Sequence, residues 1–208
     1  MKLYKLKSFE GNNLLYILDM IIRERLHLST CKYMNDVDEG SWESIENRDD
    51  DYIEKGEKLR IIIDKTKFTC FLQEINNPLM WAHYAGGFSG IALEYEIDPS
   101  KYDLRKIDYH GTPFIIKEDM KKVIDGKLYP QDLGILKQKA KCWNYETEWR
   151  LYGDTNQKYV ENIKPVSVIF GVRHSNYIEI IRDIAKKYNL KRGHIHPVSD
   201  MNYEIFYL

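Results

Sequence analysis

The chain carries few of the signatures that usually announce a chemistry. Its 208 residues contain no glycine-rich loop set before a helix, no nucleophile elbow and no cysteine pair at zinc spacing. Those absences count against phosphate-loop, dinucleotide-binding βαβ, hydrolase and zinc-enzyme classes. Cysteine is scarce. Cys31, Cys70 and Cys142 are an odd number without metal-ligand spacing, which fits buried thiols in a reducing compartment. Long apolar runs are missing too. The longest, Leu14 to Ile22, is broken by Asp19 and is too short to span a bilayer. No apolar stretch follows the basic opening residues, as a signal peptide would require. The reading is a cytoplasmic protein with no membrane partner. Charge of one sign is also lacking. The formal net charge of −1 does not imply nucleic acid as a partner, although a local basic patch would still allow it.

What is present describes a globular chain. Hydrophobic residues make up 43% and charged residues 30%, enough for one sizeable core. With no repeat, linker or low-complexity segment, residues 1–208 read as a single domain. The 16 Tyr and 4 Trp fit a tyrosine-rich sheet or an aromatic-walled site.

Hydrophobic periodicity predicts strands at Leu3–Leu6, Arg25–Ser29, Phe68–Leu72, Ser89–Ile97, Val166–Val172, His194–Val198 and Tyr203–Leu208. Helices are expected after Asn12 or Asn13, after the Asn77-Pro78 start, from Thr112-Pro113 through Ile124, over Pro130–Lys141, and after a Ser175 cap. The acidic stretch from Asn35 to Lys58 reads as a mobile loop with some helix. The expected fold is α+β, a single domain with mixed, mostly antiparallel twisted sheets and flanking helices.

The most informative stretch runs from Cys142 to Tyr152. At period two, Trp143, Tyr145, Thr147, Trp149 and Leu151 share one face, and Asn144, Glu146, Glu148 and Arg150 share the other. A strand over Trp143–Leu151 with its aromatic face buried is the expectation. Carboxylates two apart on one strand face stand roughly 7 Å apart, near enough to perturb each other. Glu146, Glu148 and Arg150 are therefore candidate catalytic groups. The competing reading is a solvated face of salt bridges, in which Glu148 contributes little to packing.

A second constellation is Met80-Trp81-Ala82-His83-Tyr84-Ala85-Gly86-Gly87. Here Trp81, His83 and Tyr84 are candidates to bind or orient a ligand; the alternative is core packing. In Asn35-Asp36-x-x-Glu39-Gly40, the residues Asn35, Asp36 and Glu39 could close a loop over a pocket or simply turn the chain. His194-x-His196 lacks a third ligand, so no metal is expected.

Together these residues resemble the bacterial domain of unknown function 2971 family. The resemblance rests on Asn35-Asp36-x-x-Glu39-Gly40, Cys70-Phe71, Met80-Trp81-x-His83-Tyr84-Ala85 with Gly90, and Lys139-x-x-x-Trp143-x-Tyr145-Glu146-x-Glu148-Trp149-Arg150. Val37 stands where that family usually has Pro, and Leu72 where it has Ser. More distantly, the chain resembles the ADP-ribosyltransferase superfamily. The features are a tyrosine-bearing first strand, an Asn-Leu-x-x-Ile-Leu type helix, a serine on the second strand and a late Glu-x-Glu. That resemblance implies an ADP-ribosyltransferase-like architecture and NAD as substrate. Lys5 and Ser29 would help hold NAD, and Glu148 would stabilise the ribose cation. Glu146 would stand on the side of an acceptor that the residues do not define. It also implies a phage-defence or toxin setting. The alternative is a non-catalytic module whose charged face and aromatic helix bind a partner protein or nucleic acid.

Overall fold

The computed structural model describes residues 1–199 and 202–207. In chain order the elements are β1 Lys2–Lys7, α1 Asn13–Ile22, β2 Leu26–His27, α2 Asp50–Lys65, β3 Lys67–Leu72, α3 Pro78–Tyr84, β4 Ile91–Glu96, β5 Asp103–Lys106, α4 Lys117–Ile124, β6 Glu148–Gly153, β7 Tyr159–Val160, β8 Ser167–Phe170, α5 Ile178–Lys187, β9 Lys191–Ser199 and β10 Asn202–Tyr207. The main sheet runs β10-β9-β8-β4-β1-β3-β6-β5, and β2 and β7 form a small second one. Of the main pairings only β8–β9 is parallel. That pair needs a crossover, and α5 supplies it. The fold is α+β, with a mostly antiparallel twisted sheet. No described helix is long and apolar enough to cross a membrane.

β1 sits near the middle of the sheet, and its alternation feeds both faces. Leu3 joins Leu93, Tyr95, Val168 and Phe170 under Ile17, Met20 and Ile21 of α1 and Ile181 and Ala185 of α5. Tyr4 and Leu6 join Ala92, Ile169 and Ile195 under Met80 and Trp81 of α3. A third cluster packs Tyr52, Leu59 and Ile63 of α2 and Met120 and Val123 of α4 over Phe68 and Tyr152. The start of β4 lies tight against β1. A Cβ on Gly90 would stand 2.2 Å from the Lys7 carbonyl oxygen, so only glycine fits there.

Several boundaries differ from the sequence reading, each for a local reason. α3 begins as expected, with Asn77 accepting from the Leu79 amide and Pro78 in the first turn. α2 is longer than the acidic stretch implied. Asp49 caps it, and Asp50 and Asp51 meet the positive end of its dipole. The helix expected from Thr112 starts only at Lys117, because Pro113 and Ile115 exchange backbone hydrogen bonds with Glu43. Pro130 begins a single 3-10 turn that stops at left-handed Gly134. Ser175 lies outside α5, whose N-terminal flank is Tyr177. Of the expected last strand, Leu208 lies outside the described residues.

The largest correction concerns residues 142 to 151. Lys141–Glu146 form 3-10 turns, Thr147 is left-handed (φ 45°), and the strand begins only at Glu148. Trp143, Tyr145 and Trp149 are half-buried, whereas Glu146, Glu148 and Arg150 are buried, Arg150 completely. Both faces of β6 are covered, the charged one most completely. In register, Phe68 faces Tyr152, Cys70 faces Arg150 and Leu72 faces Glu148. The cluster built on α2 and α4 packs over that side, with Trp149 and Leu151 on the opposite face.

Candidate functional site

The cleft opens where the sheet is weakest. β1 and β3 are neighbours, yet their register holds at a single pair, Tyr4 with Leu72. Past that pair, the Lys5 side chain crosses to β3, donating from Nζ to Thr69 Oγ1 at 2.7 Å and to the Cys70 carbonyl at 2.6 Å. Ser29 reaches the other end of β3 through a bridge with Phe68. The result is a cleft of about 1120 Å³ lined by residues from β1, α1, β2, the loop after β2, β3, α3 and β6. Lys5, Ser29, Asn35, Tyr84, Glu146 and Glu148 all line it.

A buried ion network forms one end. The Lys139 ammonium lies 2.7 Å from both Glu146 Oε2 and Glu148 Oε2. Arg150 donates from Nε to Glu148 Oε1 at 2.7 Å and makes a two-pronged contact with Glu39 at 2.6 and 2.7 Å. Its remaining reach goes to the Leu136 carbonyl, 2.7 Å away. Tyr84 donates its hydroxyl to Glu146 Oε1 and accepts from Asn35 Nδ2 at 2.8 Å. The Tyr109 hydroxyl accepts from the Glu148 amide at 2.8 Å. Three carboxylates thus share two cations, which is how buried charge is tolerated.

Electrostatics sort these groups by what they can do. Burial disfavours a charged Glu148, but Arg150 and Lys139 outweigh it and hold the carboxyl down at about 2. Glu148 is therefore ionised at neutral pH. It can oppose a positive charge but has no proton to give. Burial lowers Lys139's proton affinity, and the charges of Glu148 and Glu146 more than restore it, so its ammonium is held more firmly than usual. Burial and then Glu148's charge push the Cys70 thiol well up, so it stays protonated and unreactive. Burial, with the neighbouring Lys7 charge, pulls Lys5 down to about 7.

Other expected residues stand elsewhere. Trp81 is fully buried, donates to the Ile75 carbonyl at 2.7 Å and stacks on Phe88. It is core and touches no ligand space. His83 is exposed beside Tyr145 and does not line the cleft. Arg150 lies behind Glu148 rather than on the cleft wall. Asp36 is buried and turns the loop by accepting from the Asp38 amide at 3.1 Å. Glu39 is buried against Arg150, so the loop is tied down rather than loose. Lys139, Lys7, Lys67, Lys158, Tyr16 and His27 belong to the cleft or its network and were not among the expected site residues. Lys5-x-Lys7 was the available signal, two lysines on one face of a strand. Among the described residues no group of three or more His, Cys, Asp or Glu is placed to hold a metal.

Residues 80–151 match a family model described as "Protein of unknown function (DUF2971)". That span contains most of α3 with Tyr84, the Lys139 lysine, Glu146 and the Glu148–Arg150 segment, so it covers most of the ion network. It omits β1, β2 and the Asn35–Glu39 loop. Comparison with curated proteins and with solved structures gives no match.

Proposed function

We propose that the cleft binds NAD or a related nucleotide and that the chain acts as an ADP-ribosyltransferase-like enzyme, in a phage-defence or toxin setting. The supporting observation is convergence. Lys5 of β1, Ser29 after β2 and Glu148 of β6 are far apart in sequence and line one cleft. The nicotinamide–ribose bond would break with its electron pair leaving on nicotinamide. Positive charge then develops on the sugar, where a poorly solvated Glu148 that is ionised at neutral pH is most effective. Glu146, joined to Tyr84, borders the same space and is the acceptor-side carboxylate of this reading. The acceptor's nucleophile bonds to the ribose carbon and its proton passes to water. In this reading the Tyr84 side chain, which lines the cleft, packs against the nicotinamide ring.

The test is nicotinamide release and thermal melting with NAD, using wild type and Ser29→Ala. A hundredfold excess of NAD over its dissociation constant should stabilise the wild type by about 2.7 kcal/mol. Ser29→Ala should weaken both binding and release while melting normally without ligand. A well-folded wild type with no melting shift and no release would overturn the reading. One observation favours a non-catalytic module for a partner protein or nucleic acid instead. Both oxygens of Glu146 and of Glu148 already accept from Lys139, Tyr84 or Arg150. Under that reading the network is scaffold, and NAD changes nothing.

A further inference from the structure

The other end of the cleft carries an imbalance of charge that the ion network does not use. Lys5 and Lys7 are alternate residues of β1 and so project to the same side. Lys67 opens β3, and Lys158 precedes β7; all four line the cleft. All four carry their charge near one imidazole. His27 feels Lys158, Lys67, Lys7 and Lys5 together, and burial followed by these charges lowers its proton affinity. Lys7 lies 5.7 Å over the Tyr16 ring, and His27 stands 5.2 Å from Tyr16 and 5.5 Å from Tyr159. The Lys158 carbonyl accepts from the Leu28 amide at 3.0 Å, which fixes that loop to the wall.

Among the described residues no carboxylate forms an ion pair with these lysines. Lys5 is bonded to two neutral oxygens. Among the described residues, Lys7, Lys67 and Lys158 have no carboxylate within ion-pair distance. The lining contains three acids, Asp19, Glu146 and Glu148. Asp19 is held by Arg23 and Arg25 at 3.3 and 3.1 Å, and the two glutamates by Lys139 and Arg150. Like charges gathered in a recess repel more strongly than on an open surface. A bound polyanion removes that repulsion, and its oxygens accept charge-assisted hydrogen bonds.

We propose that this basic end is a phosphate subsite, and that the cleft's ligand is a nucleotide carrying more phosphate than a single pyrophosphate linkage. This rests on the nucleotide reading and narrows it. Lys7, Lys67 and Lys158, joined by a Lys5 that is only partly charged near pH 7, still outnumber the two charges of a bare dinucleotide linkage. The Tyr16 and His27 side chains, which line the cleft beside the lysines, give a base or ribose an aromatic wall. The matching chemistries are a dinucleotide with an added phosphate ester and a nucleoside triphosphate.

The experiment uses the full chain with five probes: tripolyphosphate, NAD, NADP, ATP and a single-stranded oligonucleotide. Binding is followed by calorimetry and thermal melting. Tripolyphosphate should bind and raise the melting temperature. NADP or ATP should bind at least about tenfold tighter than NAD, the scale of one or two charge-assisted contacts. A preference for NADP identifies the phosphate ester, and a preference for ATP the phosphate chain. Lys67→Ala and Lys158→Ala lie at the wall and should each remove about tenfold from that preference. NAD affinity should change little. Equal affinity for NAD, NADP and ATP, or lysine variants without effect, would overturn the subsite. So would oligonucleotide binding tighter than any nucleotide, which points to a strand-binding groove. Tripolyphosphate binding without nicotinamide release keeps the subsite and removes the transferase chemistry. Turnover of NAD with no preference for added phosphate does the reverse.

Discussion

Glu148 shows how differently a residue behaves once its surroundings are known. On a solvated strand face its charge would contribute little to stability. Here it is about 2% exposed and shared between Lys139 and Arg150. Glu148→Gln leaves two buried cations with less counter-charge. Glu39 still holds Arg150 and Glu146 still holds Lys139, so the cost should fall near the lower end for breaking a buried pair, about 3 kcal/mol. Urea denaturation measures it, and a loss below about 0.5 kcal/mol, the range of an unpartnered surface substitution, would mean the network is looser than its distances. Any activity assay on this variant therefore needs its melting curve beside it.

At the scale of elements, Thr147 decides how the site is assembled. Its left-handed backbone lets the chain leave the 3-10 turns and enter β6, and Lys139 then grips Glu146 and Glu148 at once. A β-branched residue is strained in that region, and the Thr147 hydroxyl is buried without a partner. Thr147→Gly should stabilise the protein by about 0.5–1 kcal/mol, read as a higher melting temperature. Destabilisation would show that the side chain holds more than its contacts indicate. This junction also marks where sequence reading stopped. Asn77-Pro78 and the alternation of Ile91, Leu93 and Tyr95 were legible because local chemistry sets caps and faces. Clean alternation through residues 143 to 151 was real only from Glu148 onward. Period two reveals that two faces exist, and the cover from α2 and α4, distant in sequence, is what makes the charged one dry as well. Among the cleft residues, Glu146 and Glu148 follow from the alternation, Asn35 and Tyr84 from their motifs, and Lys5 and Ser29 from the superfamily resemblance, whereas Lys7, Lys67 and Lys158 carry no local pattern beyond Lys5-x-Lys7.

At the scale of the molecule, the ion network links the fold to pH. The carboxyl of Glu148 is held at about 2, below its ordinary 4.5. Its contribution to stability is fully present above about pH 4.5 and is lost as pH falls toward 2. Integrated over that window, the loss is about 3 kcal/mol. Urea titrations at pH 6, 4 and 3 should show midpoints falling most steeply below about pH 4.5. Glu148→Gln should flatten that fall. An acid limb equally steep in the variant would assign it to other carboxylates.

The placement of β1 has one more consequence, for the order of assembly. β1 is synthesised before any of its partners, yet it stands between β4 and β3. Four strands lie on its β4 side and three on its β3 side. Neither half can join the other until residues 67 to 72 and 91 to 96 have emerged to meet it. The closing contacts span more than sixty positions along the chain, as between Lys5 and Cys70, and such distant closures slow folding. The N-terminal strand is thus a seam that must wait, and the opening left beside it in the finished sheet is the space the ligand would occupy.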